Sequence, residues 1–547
     1  MTPRSARQRT LEALARGPFD LLVIGGGITG AGVARDAAMR GLRTALVEQD
    51  DFASGTSSRS SRLVHGGVRY LEHGQLALVF ESSAERRTLG RIARHLVRPM
   101  AFTWPVYAGA RVPRWKLAAG LMLYDLLALF RNVGRHERLT AADVLAREPR
   151  VRSDALVGGA RYWDAATDDA RLTLATIRSA VAAGAVAVNH ARVASLTTTA
   201  RRVGGARVVD AMTGARLDVA ARVVVNATGP WSETVERMAD GEARPMVRGS
   251  KGVHVLVARD RIGNAGALTL LSPRDGRVMF VLPAGDFTIV GTTDTYEAVS
   301  PDQVRASEAD VSYLLETANH FFPGARLRRD DVISAWAGLR PLKAGDAGAD
   351  DPASASREHT ITERTPGLVS VTGGKLTTYR AMARHVVDAV QRSLGTRPTQ
   401  CETARVPLAG GSLADASADI AAATVLTGDA AIATRLVNAH GDAWRAVWSL
   451  AASDAVLAER VEPTRPYLLA ELLNAVREEH AMTLGDLLIR RTPLAFELRD
   501  HGRGAARRVS SHVARWLAWT PVEMRAAIAE YDAEVERMFR VEPGGAT

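Results

Sequence analysis

FDLLVIGGGITGAGVARDAAMRGLRTALVE, residues 19–48, is the stretch on which the fold turns. Its apolar run, Leu21–Ile24, reads as a buried parallel strand that stops at a glycine turn, Gly25-x-Gly27-x-x-Gly30. The helical pattern behind the turn carries small residues at Ala34 and Ala38. Gly41 ends it, and Thr44–Val47 reads as a second strand with Glu48 at its tip. Gly25 permits the tight turn, Gly27 lets a pyrophosphate approach the backbone, and Gly30 lets helix and strand pack closely. Ile28 and Thr29 open the helix, whose N-terminal N–H groups and positive dipole end suit a diphosphate. Glu48 can accept a hydrogen bond from a ribose hydroxyl. A bound dinucleotide is expected; the turn alone does not say which one.

At 547 residues the chain can hold two or three domains, each with its own core. Its hydrophobic content of 46% and charged content of 24% are those of an ordinary folded protein. The net charge of +10 is nearly all arginine, because Lys116, Lys251, Lys343 and Lys375 are the only lysines. Such an excess can serve nucleic acid, an anionic membrane face or an anionic substrate, or simply be a solvated basic surface. The arginines are dispersed and lack interleaved aromatics, so no nucleic-acid partner is expected. Cys401 is the only cysteine, which excludes an intramolecular disulfide, a CxxC redox pair and an Fe–S site. No metal is expected, and a reducing compartment fits. Residues 1–17 are Arg-rich without the apolar core of a secretory signal. They share features with a mitochondrial transit peptide, but the arginine and alanine bias of a GC-rich genome favours a bacterial cytoplasmic start.

The dinucleotide unit returns twice. Residues 222–231 (RVVVNATGPW) form a second strand–turn, and residues 367–390 a third strand–turn–helix around Gly373-Gly374. Residues 247–294 alternate like antiparallel sheet, and after about 400 the pattern is helical to the end. The expected fold is α/β: a Rossmann-type FAD-binding domain, an inserted antiparallel-sheet substrate domain and a C-terminal all-α domain. Residues 1–17 are taken as an N-terminal extension. The FAD-binding domain spans 18–400 in pieces, about 18–110, 150–235 and 360–400. The substrate or cap region covers about 236–360, and a separate helical domain 401–547, a candidate dimerisation surface. A split nucleotide unit suits a large bound FAD contacted along its whole length better than NAD, with the last helix N-terminus facing the flavin pyrimidine. Residues 111–135 carry an apolar run, Leu117–Phe130, too short to span a membrane and flanked by Arg111, Arg114, Trp115, Lys116, Arg131 and Arg135. That pattern fits an interfacial anchor equally with a core helix whose basic ends reach solvent.

Several motifs together resemble the FAD-dependent, quinone-linked (aerobic) glycerol-3-phosphate dehydrogenases. They are Gly25–Gly32, Thr56–Ser61 with Leu63–His73, Trp163-Asp164, Asp168–Leu172, Asn226–Trp231, Ser250–His254, Gly291–Asp294, Ala337–Leu342 and Gly373–Arg380. The likeness runs from about 18 to 400 and continues more weakly beyond. Arg62 stands where bacterial members often have lysine.

The resemblance implies oxidation of sn-glycerol 3-phosphate at C2 to dihydroxyacetone phosphate, with hydride passing to flavin N5 and electrons onward to a membrane quinone. It places Arg69, Arg340 and Arg357 around the substrate. Arginine suits a phosphate because its planar donors bind oxygens in pairs. Tyr70 and Lys375 are supporting donors. His254 matches the family's general base, and Arg340 would stabilise a developing alkoxide. The residues expected on FAD are Gly25, Gly27, Ile28, Thr29, Gly30, Glu48, Thr56, Ser57, Ser58, Ser61, His65, Gly66, Gly67, Val193, Ala227, Thr228, Gly229, Trp231, Gly374, Lys375, Leu376 and Thr377. Ser57, Ser58 and Ser61 read as hydroxyl donors to the diphosphate and ribityl chain. His65 would approach the isoalloxazine, without a covalent link being implied. Two rival readings keep the flavin: a glycerol-phosphate oxidase using oxygen, and another oxidoreductase of the D-amino-acid-oxidase type. The expected location is cytoplasmic, peripherally bound to the inner face of the cell membrane.

Overall fold

Apolar stretches hundreds of residues apart meet in one sheet. Its strand order is Thr360–Thr362, Leu368–Thr372, Arg216–Asn226, Phe19–Ile24, Thr44–Val47 and Val186–Val188. All pairings along it are parallel except that of the Thr360–Thr362 edge. The computed structural model describes residues 3–241, 247–296, 299–343 and 358–543, with the side chains of 69, 73, 247, 248 and 343 excepted. A parallel sheet must be covered on both faces, and its strands read as continuous apolar runs for that reason. Here the helices Ile28–Met39 and Tyr379–Ser393 cover one face. The antiparallel strands Ala191–Thr199 and Arg202–Asp210 cover the other.

A second sheet lies beside the first. It runs from Val247–Ala258 through Phe287–Gly291, Val278–Ala284, Ala267–Leu271, Arg98–Tyr107 and Leu156–Ala166 to Leu63–Val64, with Val332–Lys343 paired on Val247–Ala258. This corrects the expected division of the chain. Arg98–Tyr107, Glu137–Leu139 and Leu156–Ala166 fall in or beside stretches assigned to the FAD-binding domain, yet they belong to this sheet. Phe102, Trp104 and Tyr162 on those strands need an apolar partner layer and find it among Leu282, Phe287 and Trp336. The substrate layer is therefore not confined to 236–360.

Two further expectations change. Residues 3–15 form a docked helix, Pro3–Ala15, rather than a loose extension. Its Leu14 is buried and Arg7 donates to Asp210 Oδ1 at 2.5 Å and to the Asn189 carbonyl at 2.9 Å. The region beyond 401 is helical as expected, from Ala416–Thr427 to Pro521–Phe539. It is not a separate body: one continuous apolar core joins Leu256, Leu282 and Trp336 of the second sheet to Leu468, Phe496 and Phe539.

Buried ion pairs lock the same junction. Arg171 holds Glu479 with two parallel bonds of 2.7 and 2.9 Å. Asp51, just past the second strand, is gripped by Arg490 and Arg491. Burial alone would raise the Glu479 carboxyl, but Arg171 and His440 outweigh it and hold the group well below the usual carboxylate range. The stabilisation is thus full above the unfolded carboxyl pKa of about 4.3 and is lost progressively as pH falls from there toward the much lower folded value. Removing one member of such a pair leaves a buried charge uncompensated. We expect Glu479→Gln to lower unfolding free energy by about 3 kcal/mol at pH 7. Denaturant melts at pH 7 and pH 3.5 should show the difference shrinking in acid.

Candidate active site

A long cleft of about 350 Å³ runs between the two sheets. The turn that ends the first strand forms its head. Gly25 sits at φ +107°, and a Cβ there would lie 2.7 Å from the Ala227 carbonyl oxygen. Gly27 is the extended residue before the Ile28–Met39 helix. The Ile28 N–H at that helix start donates to Ser57 Oγ at 2.9 Å. Thr29, Val193, Ala227, Thr228, Gly229 and Trp231 complete this end of the cleft. Glu48 accepts from the Gly26 N–H at 2.6 Å and from the Asp50 N–H at 3.0 Å. Burial pushes its carboxyl up to about 7. Gly30 lies behind the wall instead, with its missing Cβ 1.9 Å from the Gly25 carbonyl oxygen; it makes the turn possible without facing the cleft.

The far end is built by two more glycine turns. Gly373 and Gly374, at φ +77° and +92°, lead into Lys375, Leu376 and Thr377, all lining the cleft. Opposite them, the turn at His65-Gly66-Gly67 is tied to Thr377, whose hydroxyl accepts from the His65 N–H at 3.1 Å and donates to its carbonyl at 3.2 Å. Gly67, at φ +81°, lies against the Tyr70 ring. Tyr70 stacks on His65, and Lys375 Nζ sits 4.3 Å over Tyr70 while donating to Ser82 Oγ at 2.8 Å. Gly66 is a correction: it is buried behind the wall, its N–H donating to Asp164 Oδ1 at 2.9 Å and its Cα facing the Tyr124 hydroxyl. Ser58 is likewise buried outside the cleft. Thr56 lines the cleft, but its hydroxyl donates to the Leu339 carbonyl at 2.7 Å and so joins the two layers.

The chemistry side comes from the second sheet. Along Val247–Ala258, Val253, Val255 and Val257 face an apolar core, while Gly252 and His254 face the cleft. This is the alternation of a strand buried on one side. His254 Nε2 meets Ser61 Oγ at 2.8 Å, and Ser61 also lines the cleft. The cross-strand neighbours explain two motif residues. Gly291 pairs with His254, and a Cβ there would sit 2.2 Å from the imidazole. Gly252 leaves room for the Arg340 guanidinium in the same way. Arg340 donates to Asp294 Oδ1 at 3.1 Å and to Thr292 Oγ1 at 3.0 Å. Burial first, then Arg340 and Arg62, push the His254 imidazole down to about 3. It is therefore neutral through the physiological range.

Of the remaining expected residues, Arg69 lies in the Val68–His73 turn with its side chain outside what is described, and Arg357 lies outside the described residues. Sequence reasoning missed the opposite wall, made by Trp104, Tyr162, Thr269, Val278 and Phe280. The alternation of Arg98–Tyr107 was its available signal. It also missed Trp336, the aromatic neighbour of His254 in the adjacent strand.

The glycine cradles at both ends, open to backbone approach, suit an extended dinucleotide. The family described as "FAD dependent oxidoreductase" matches residues 20–389, and that described as the "C-terminal domain of alpha-glycerophosphate oxidase" matches 401–524. Glycerol-3-phosphate dehydrogenase 2 of Mycobacterium tuberculosis is 39% identical over 95% of this chain and 88% of its own. The mitochondrial glycerol-3-phosphate dehydrogenase of Arabidopsis thaliana is 37% identical over 94% and 86%. The crystal structure of glycerol-3-phosphate dehydrogenase from Bacillus halodurans with FAD superposes at a TM-score of 0.82 and 33% identity, covering 99% of this chain and 100% of that one. This chain belongs to the FAD-dependent glycerol-3-phosphate dehydrogenase family. The family's cofactor is FAD, and the two glycine cradles of this member fit it. A fold likeness extends to the α-glycerophosphate oxidase of Mycoplasma pneumoniae, at 18% identity and a TM-score of 0.56 over 70% of this chain.

In this family member the Gly291–His254 approach gives a direct test. Gly291→Ala forces the imidazole aside, and a displacement near 1 Å costs a rate factor of about 100. We expect kcat to fall by that order with FAD content unchanged in the visible spectrum.

Proposed function

We propose that this protein oxidises sn-glycerol 3-phosphate to dihydroxyacetone phosphate and passes the electrons to a membrane quinone. The observation that carries the reading is a neutral, buried His254 beside Arg340 on one wall of the cleft, with Lys375 and Tyr70 near its flavin end. Relatives at 37–39% identity bear the name of this dehydrogenase. When bound, FAD supplies the hydride acceptor and the electron store.

The chain's own residues do the rest. His254 takes the proton of the C2 hydroxyl, for which a neutral imidazole has an open nitrogen. Ser61 and the stacked Trp336 fix the ring. Arg340, held by Asp294 and Thr292, faces the oxygen on which negative charge develops and lowers the cost of the alkoxide. Lys375, with Arg69 and Arg357 on sequence grounds, supplies positive charge for the phosphate. Glu48 and the Gly25–Gly27 turn take the adenosine end, with Ser57 at the diphosphate.

The surface supports the choice of a membrane quinone as acceptor. The helix Arg114–Leu127 buries Leu117, Leu121 and Tyr124 and exposes Trp115, Met122 and Leu126; Leu129, Phe130 and Val133 extend the apolar face beyond its end. Lys116, Arg131 and Arg135 flank it. Among the described residues no helix is long and apolar enough to cross a membrane. An apolar face rimmed by cations supports peripheral attachment to an anionic leaflet, at the inner face of the cell membrane, where a quinone is the acceptor at hand. An oxidase using oxygen has no use for such a face.

Anaerobic mixing with sn-glycerol 3-phosphate should bleach the flavin, and no bleaching with either enantiomer refutes the proposal. His254→Asn should retain FAD and slow bleaching by about 100-fold or more; wild-type bleaching removes His254 from the mechanism. Trp115→Glu with Leu126→Glu should abolish flotation with phosphatidylglycerol vesicles. Unchanged flotation, with one peroxide formed per turnover and no quinone reduced, selects the oxidase.

A further inference from the structure

His254 is braced from behind by the C-terminal region. Its ring lies nearly parallel to that of Trp336, with centroids 5.4 Å apart and planes 13° off parallel. The two are cross-strand neighbours of the antiparallel pair Val247–Ala258 and Val332–Lys343. Trp336 is fully buried, and its indole N–H has no hydrogen-bond partner. No polar contact therefore holds the indole; rings around it do. The edge contact comes from Phe496, on the short helix Leu494–Glu497, at 5.2 Å and 89°. Phe539, from the last helix, meets Phe496 at 5.0 Å and 86°. Arg62 lies over both Phe496 and Trp336, at 4.6 and 5.7 Å, and is one of the two cations that depress the His254 imidazole. A backbone tie fixes the contact: Ser334 Oγ, two residues before Trp336, donates to the Phe496 carbonyl at 2.7 Å.

We infer that Phe496 is a positioning residue for His254, and that the C-terminal region completes the active site by holding Trp336 against the imidazole, with Arg62 over the indole. The inference rests on His254 acting as the base. The imidazole has one hydrogen bond, to Ser61, and its Nδ1 has no partner. A single hydrogen bond leaves the ring free to swing about Nε2. Face contact with a fixed indole removes that freedom, and edge-to-face pairs such as Phe496–Trp336 have a preferred geometry. The C-terminal region therefore contributes to the reaction without touching substrate or cofactor.

A double-mutant cycle on the FAD-loaded full chain tests this, read as the rate of anaerobic flavin reduction by sn-glycerol 3-phosphate. Phe496→Ala should slow reduction about 30-fold and Phe496→Leu about 5-fold, with the apparent substrate affinity within about 3-fold of wild type, as for a base misplaced by a fraction of an ångström. In a His254→Asn background Phe496→Ala should cost less than about 2-fold, because residues acting through one another are non-additive. If Phe496→Ala does not load FAD, the Phe496→Leu pair reads the same cycle. Equal losses in both backgrounds, or a loss confined to affinity, overturn the inference. A wild-type rate in His254→Asn instead overturns the reading of His254 as the base.

Discussion

The rest of the architecture hangs from the close backbone approach at the first glycine turn. Gly30 has space for no side chain against the Gly25 carbonyl, and Gly25 has none against Ala227. That contact brings the helix Ile28–Met39 onto its own strand and seats the strand Arg216–Asn226 beside it. Leu368–Thr372 then pairs on Arg216–Asn226 and carries Gly373-Gly374 to the opposite end of the cleft. The dinucleotide groove is thus assembled from three segments whose contacts are long in sequence and short in space.

The second sheet converts the groove into a site. One antiparallel pair delivers both groups of the proposed chemistry, the neutral His254 from one strand and the cationic Arg340 from the other. Glycines at 252 and 291 provide the empty volume each needs. The neutral state of His254 follows from the same packing: burial and two nearby guanidinium groups disfavour the imidazolium. Beyond the pair, Trp336 passes the packing into the C-terminal helices, so that the helical region and the catalytic wall share one core.

Much of this was legible in the chain. The glycine spacing, the apolar runs and the acidic tip at Glu48 obey local rules, and alternation about His254 told which way the side chain points. The partition of the sheets was not legible. Arg98–Tyr107 is an apolar strand by any pattern, but whether it joins a parallel or an antiparallel sheet depends on partners near residues 160 and 268. Ser58, Ser61 and Thr56 show the same boundary: hydroxyls in one serine-rich turn point to a core, a histidine and a backbone carbonyl, and only the three-dimensional path of the turn separates them.

By itself, then, the sequence determined the kind of ligand and the residue types that meet it, because turns, strand periods and charge matching are properties of a few consecutive residues. The tertiary structure alone decided which hydroxyl serves which group, which strands form the substrate wall, and that a helix beginning about 240 residues after His254 packs on the indole behind its ring. Those outcomes are set by non-local packing, in which a side chain's partner is whatever the folded chain brings within contact distance.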